Sequence, residues 1–409
     1  MAARHPAQLM AGIHALDALI GQAAEQPEHT YTFLFCDLLT DAVLAELPLQ
    51  DVSYGYELNG IGAMRAFVPL NNETFPLDPI NATTGGRTAV YVDRDGSILW
   101  GGIVWTRDPA KGGMQIQAAE FLSYYQHRYI TQTLSTLLEN VTANPALVPD
   151  GRRLYSDQKS LLWSLFRWSS IAAGGGIRID INPLAGTGHG VSRVATYFGY
   201  ERQELFALMK QLASADDGFD FGIEVGWNPV VNNVPPSRFR KAVSWYPRRG
   251  RAAADSGLVF SKGGPAANIV AYNWPEDYTA VADQVWAVGD GDGEARLIAG
   301  AADLDMLAAG WPLLESVQRY EGVTELATLQ GHANADVNAR SVADVAPWFD
   351  VLADGDPALG GYSVGDEATF TISDDPRFPD GLEAQLRIVS MDVNASKRPE
   401  IVRLTCVGV

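Results

Sequence analysis

Cysteine is nearly missing from this chain: Cys36 and Cys406 are the only two in 409 residues, near opposite ends. A secreted scaffold stapled by disulfides carries more, so both read as buried thiols filling strands, with no bridge expected. Apolar runs approaching the ~20 residues that cross a bilayer are also missing, and no membrane-spanning segment is expected. The first residues do not read as a signal peptide, because His14 and Asp17 interrupt their apolar stretch. The six histidines (His5, His14, His29, His127, His189, His332) never fall within five residues of one another, so no HxxxH or HExxH pair exists. Without such a pair or a cysteine cluster, no metal or other cofactor is expected. Basic residues are short too: 30 Lys and Arg stand against 49 Asp and Glu, a formal charge of −19. Proteins that grip nucleic acid usually show the reverse balance.

The chain is otherwise an ordinary globular composition, 47% hydrophobic and 19% charged. Its length suggests two to four domains of roughly 100–200 residues each. Its most informative stretch is Arg87 to Ile130, where Val-, Ile-, Tyr- and Trp-rich runs flank Asp95-Gly96. Asp-Gly between two such runs is a strong hairpin signal, since both turn residues must take positive φ. The first run is apolar on both faces, Val90 and Val92 on one and Ala89 and Tyr91 on the other. Such a strand needs cover on both sides, from a second layer or from a neighbouring subunit. Tyr91, Trp100 and Trp105 are therefore the interface candidates.

Texture divides the rest. Residues 1–27 read as an N-terminal helix, with Leu9, Ile13, Leu16 and Ile20 at helical spacing and Gly21 as a stop. Residues 28–135 read as a first β domain. Residues 136–255 read as an α/β insertion, with amphipathic helices at Asp157–Trp168 and Glu201–Leu212 followed by two strands. Residues 256–409 return to β texture, with one helix near 323–342.

Several motifs imitate chemistry without completing it. Gly361-Tyr362-Ser363-Val364-Gly365 has the GxSxG spacing of a nucleophile elbow, but no His follows it and the next residues alternate like a strand. A glycine-flanked turn is the reading. The glycine-rich run Gly186 to Gly190 lacks the Lys that a phosphate loop brings to its ligand, and reads as a flexible loop. Asp290-Gly291-Asp292-Gly293-Glu294 fails the EF-hand frame and reads as a hairpin turn. One basic run stands out: Arg238, Arg240, Lys241, Arg248, Arg249 and Arg251, interleaved with Phe239, Trp245 and Tyr246. Basic residues among aromatics are the pattern of a nucleic-acid surface. On so acidic a chain, a patch facing an acidic protein partner is the preferred reading.

Three pieces in order carry a resemblance. They are the opening YGYELNG (Tyr54–Gly60) with the hairpin after it, TYFGYERQELFALMKQLASADDGFDFGIEVGW (Thr196–Trp227), and GDEATFTISDDPRFPDGLEAQLRIVSMDV (Gly365–Val393). In this order they resemble the tail-hub, or minor tail, proteins of siphophages of actinobacteria. The resemblance implies an α+β fold of two tail-tube-like β-barrel domains with an α/β insertion, forming a ring. It implies a structural virion protein, not an enzyme: a homotrimeric baseplate hub, built in the host cytoplasm, that closes the tail tip and opens for DNA ejection. Its implied partners are a hexameric distal tail protein, the tape-measure protein and other minor tail or fibre proteins, with DNA passing through the lumen without specific binding. The alternatives from other classes are a wall-degrading or carbohydrate-binding tail enzyme, which ten Trp and fifteen Tyr would suit, and a nucleic-acid binder using the basic run.

Overall fold

In the computed structural model the described residues are 29–71, 77–136, 157–172, 174–184, 190–192, 195–214, 217–228, 239–291, 293, 296–320, 325–341 and 345–409. The expected helix over 1–27, Arg238 and residues 186–189 lie outside them. The protein is mostly β-sheet with few helices.

Strands form where β-branched and aromatic residues run between turn residues. The first set is β1 (Tyr31–Asp37), β2 (Val43–Glu46), β3 (Gln50–Glu57), β4 (Ala63–Pro69), β5 (Thr88–Arg94), β6 (Ser97–Ala110) and β7 (Gly113–Glu120). They lie in the order β2-β1-β5-β6-β7-β4-β3. The β5–β6 hairpin turns on Asp95 (φ 54°) and Gly96 (φ 84°), both in the left-handed region that this two-residue turn demands. The Asp93 side chain accepts from the Gly96 N–H at 2.7 Å and braces it.

The middle of the chain adds β8 (Leu134–Ser135), α1 (Gln158–Ile171), β9 (Thr196–Tyr197), α2 (Leu205–Ala213) and a hairpin of β10 (Asp220–Trp227) with β11 (Phe239–Tyr246). Asp157 caps α1 by accepting from the Ser160 N–H at 3.0 Å, meeting one of the free donors of the first turn. Leu161, Leu162, Leu165 and Phe166 of α1 meet Leu205, Leu208, Met209 and Leu212 of α2 in one buried cluster that includes Phe221 and Val243.

The last strands are β12 (Val259–Lys262), β13 (Ile269–Asn273), β14 (Gln284–Val288), β15 (Ile298–Ala302), β16 (Glu315–Arg319), β17 (Trp348–Leu352), β18 (Glu367–Ile372), β19 (Leu382–Asn394) and β20 (Ile401–Gly408). β19 belongs to two neighbourhoods. Its Leu382–Arg387 part pairs with β18, and its Ser390–Asn394 part pairs with β3. The early and late strands thereby join into one 13-stranded sheet, and no closed barrel appears in its strand order among the described residues.

By internal contacts the chain forms two units. The larger runs to Ala271 and resumes at Phe349–Val407; the smaller holds Tyr272–Trp348. The small unit is a three-stranded sheet in the order β15-β14-β16. Its helix α3 (Leu326–Arg340) lies within the stretch read as helical. β14 and β15 pair antiparallel, with Asp290, Gly291 and Gly293 between them, while Asp292 and Glu294 of the run read as a turn lie outside the described residues.

Candidate functional site

Cover for the two-faced hairpin comes from the chain itself. Tyr91 stacks on Phe239 of β11, ring centroids 3.9 Å apart and nearly parallel at 3°. Trp100 donates its Nε1–H to the Gly55 carbonyl of β3 at 2.9 Å. Both side chains are fully buried. The sequence made them interface candidates, with cover from a second layer or from a neighbouring subunit; the structure buries both in the chain's own core. Trp105 keeps partial exposure, donating to Ser123 Oγ at 2.8 Å and lying against His127. What the sequence left open was which second layer supplies the cover, and that layer is the β10–β11 hairpin.

Part of the basic run is paired inside the chain. Lys241 is buried in an ion pair with Asp41 at 2.7 Å, the two side chains 0% and 1% exposed, with its ammonium over the Phe121 ring at 5.1 Å. Burial lowers the Lys241 pKa, an effect that the Asp41 charge and hydrogen bond oppose. Arg248 pairs with Glu367 at 2.6 Å and Arg251 with Asp366 at 2.7 Å. Arg251 also donates to the Gly361 carbonyl at 2.8 Å, so it holds the GxSxG loop as a turn. In that turn the Ser363 N–H is bound to Asp366 at 3.0 Å, and β18 follows. Burial pushes the Asp366 carboxyl up, but hydrogen bonds from Arg251 and the Ser363 N–H outweigh this and leave it lowered.

Asp220 is the knot of this region. Its carboxylate accepts from Asn59 at 2.8 Å, the Arg249 N–H at 2.7 Å and the Arg387 guanidinium. Residues from β10, the ELNG turn after β3, the segment following β11, and β19 thus meet at one carboxylate. Among the described residues, Arg240 alone of the run is exposed without a charged partner within salt-bridge distance. Lys241, Arg248 and Arg251 thus find acidic partners within the large unit and join its parts.

Two polar groupings escaped the sequence reading. In the first, His29 stands between two carboxylates, Nδ1 at 2.5 Å from Asp95 and Nε2 at 2.6 Å from Asp354. Arg94 continues the chain of charges to Asp354 at 2.9 Å and Glu400 at 3.0 Å, and the Tyr31 hydroxyl donates to Glu400. A neutral imidazole has one N–H, so satisfying both carboxylates requires the imidazolium. Burial lowers the His29 pKa, but the hydrogen bonds to Asp95 and Asp354 outweigh it and leave the pKa raised. His29, Asp354 and Glu400 hold ligand atoms within 4.8 Å of one another, a spacing that suits a metal ion. The Arg94 guanidinium bridges the two carboxylates, however, and supplies the positive charge that a cation would bring. The second grouping is a cavity of about 200 Å³ lined by Glu57, Glu120, Glu224 and Arg249 among others. Burial pushes the Glu120 carboxyl up to about 7, although the Gly62 N–H donates to it at 2.7 Å.

These residues come from positions hundreds apart, and no local spacing marks them. Cys36 and Cys406 are both buried, and no disulfide joins them.

The fold is that of phage tail proteins. The chain superposes on the 43 kDa tail protein of prophage MuSo2 from Shewanella oneidensis with a TM-score of 0.55 at 11% identity, covering 92% of this chain and 98% of that one. The tail protein from Neisseria meningitidis MC58 gives a TM-score of 0.55 at 12% identity, over 92% of this chain and 96% of that one. No family model and no curated protein matches the sequence. The likeness read from the order of motifs thus has a structural counterpart over nearly the whole chain.

Proposed function

We propose that this chain is a structural tail protein that forms the hub at the tip of a long non-contractile phage tail. The observation that carries the reading is the fold shared with two tail proteins across 92% of the chain. Three copies form a ring, seat the end of the tape-measure protein against a hexameric distal tail ring, and leave a channel for DNA ejection. Each copy contributes two tube-like halves. The strand order supports this division: β2-β1-β5-β6-β7-β4-β3 and β13-β17-β20-β19-β18-β12 each begin and end on strands consecutive in the chain. In the second half the Asn268 N–H also reaches the Ser261 carbonyl at 3.0 Å, bringing β12 and β13 together. The charge of −19 suits a pore past which phosphates slide without being held.

Native mass spectrometry of the purified chain, together with a reconstruction of the tail tip, tests the proposal. A trimer surrounding the lumen is the expected result. A protein that stays monomeric in the particle, or sits away from the tube axis, refutes the hub.

A further inference from the structure

Among the described residues of the small unit, α3 covers one face of the sheet and the other carries exposed apolar side chains. Leu329, Ala333 and Val337 of α3 pack on the face that carries Val285, Ala287 and Ala299. The opposite face follows from the register. Trp286 is flanked by Gly300 on β15 and Val317 on β16, and Val288 by Ile298 and Arg319. A Cβ on Gly300 would stand 2.7 Å from the Trp286 ring, so the indole lies directly over that glycine. Its Nε1–H donates to Glu315 at 2.9 Å, which orients the ring on the sheet. Ile298 and Val317 are 57% and 58% exposed, and Trp286 is 38% exposed. Apolar side chains gathered on one sheet face, with a Trp at the centre, have the make-up of a protein-binding hot spot.

Charge identifies the occupant. Tyr272–Trp348 holds 13 Asp and Glu against three Arg and no Lys, a balance of −10 within the chain's −19. A second copy of the same unit would meet it with like charge. A lysine- or arginine-rich segment meets it with opposite charge and is steered toward it. We propose that the β15-β14-β16 face is a docking site for a cationic, partly apolar segment of another protein, its apolar side chains on Trp286, Ile298 and Val317. The proposal does not depend on the tail-tip reading, because it concerns only this unit's surface.

The test uses the full chain and a labelled synthetic peptide of alternating lysine and valine, with polylysine of equal length for comparison. Fluorescence anisotropy should give saturable binding that weakens with salt, as screening shortens the reach of charge. Polylysine should bind about tenfold more weakly, since tenfold corresponds to losing the burial of a few apolar groups. Val317→Asp and Ile298→Asp are the decisive variants. Each adds negative charge, so attraction by charge alone would strengthen peptide binding; docking through the apolar face predicts about tenfold weakening. Both side chains point away from α3, and circular dichroism of each variant checks that the fold is kept. Unchanged or tighter binding by both variants, polylysine binding as well as the alternating peptide, or no saturable binding at all each overturns the proposal. So does a dimer of the wild-type chain that either variant abolishes, since the occupant would then be a second copy.

Discussion

In the large unit several carboxylates are paired with cations: Asp41 with Lys241, Asp220 with Arg387, Asp366 with Arg251, Glu400 with Arg94. The small unit's sequence holds 13 acidic residues against three arginines, and among its described residues part of the sheet's apolar surface lies open. The first pattern pins segments distant in sequence into one arrangement. The second leaves a surface with both charge and apolar area to offer. Buried ion pairs give little net stability over an apolar core, yet losing one partner is costly because the other charge stays behind in low dielectric. Internal fixation and outward readiness therefore occupy different regions of the chain.

The sharpest way to break that contrast is Lys241→Ala. It strands the Asp41 carboxylate in a site with about no solvent, and we expect a loss of about 3–5 kcal/mol in urea unfolding. A loss below about 1 kcal/mol would mean that water reaches Asp41, and that this part of the large unit is looser than its packing indicates. In the small unit the corresponding position is Leu329, fully buried beneath the sheet. Leu329→Ala should cost about 3 kcal/mol through lost burial and the cavity left behind. Hydrogen exchange decides whether that loss stays local: protection should fall in β14 and β15 while β5 and β6 keep theirs. Equal loss in both units would show that they unfold as one.

Much of this architecture was legible beforehand, and the limits of legibility have a physical cause. The β5–β6 hairpin, α1, α2 and α3 are written locally, by a turn dipeptide or by apolar periodicity. The two apolar faces of β5 correctly demanded double cover, but period-two alternation cannot say whether a neighbouring chain or the chain's own β11 supplies it. Lys241 likewise looks like a surface cation in the sequence. Only the packing of β11 against β5, which brings it to Asp41 from 200 positions away, turns it inward. The His29–Asp95–Asp354 grouping joins residues 66 and 325 positions apart, so no motif spacing exists for it.

That grouping gives a pH test. His29 has a raised pKa in the folded chain. It therefore contributes stability that is fully present below the unfolded value near 6.5 and is lost as pH rises through the folded value. Glu120, raised from 4.5 to about 7, acts in the same sense, with its contribution lost between those values. Unfolding free energy should then fall from pH 5 to pH 8. Glu120→Gln should flatten the part below about pH 7, and His29→Gln the part above 6.5. A His29→Gln profile parallel to wild type throughout would show that the two carboxylates do not hold the proton.

The smallest expected effects concern the arginines, and they decide whether the basic run is a stitch or a patch. Arg251 is 45% exposed while its partner Asp366 is 4% exposed, so solvent screens one side of the pair only. Asp366 also keeps the Arg251 and Ser363 backbone N–H donors after truncation. Arg251→Ala should therefore cost about 1 kcal/mol, well under the loss of a fully buried partner. It should also loosen the Gly361 loop, seen as faster exchange of the Ser363 amide. Arg240, exposed on β11, should change stability by less than about 0.5 kcal/mol. Should Arg240→Ala instead weaken incorporation into particles while Arg251→Ala does not, the outward-facing part of the run engages a partner after all. The division between a self-contained large unit and an outward-facing small one would then have to be redrawn at β11.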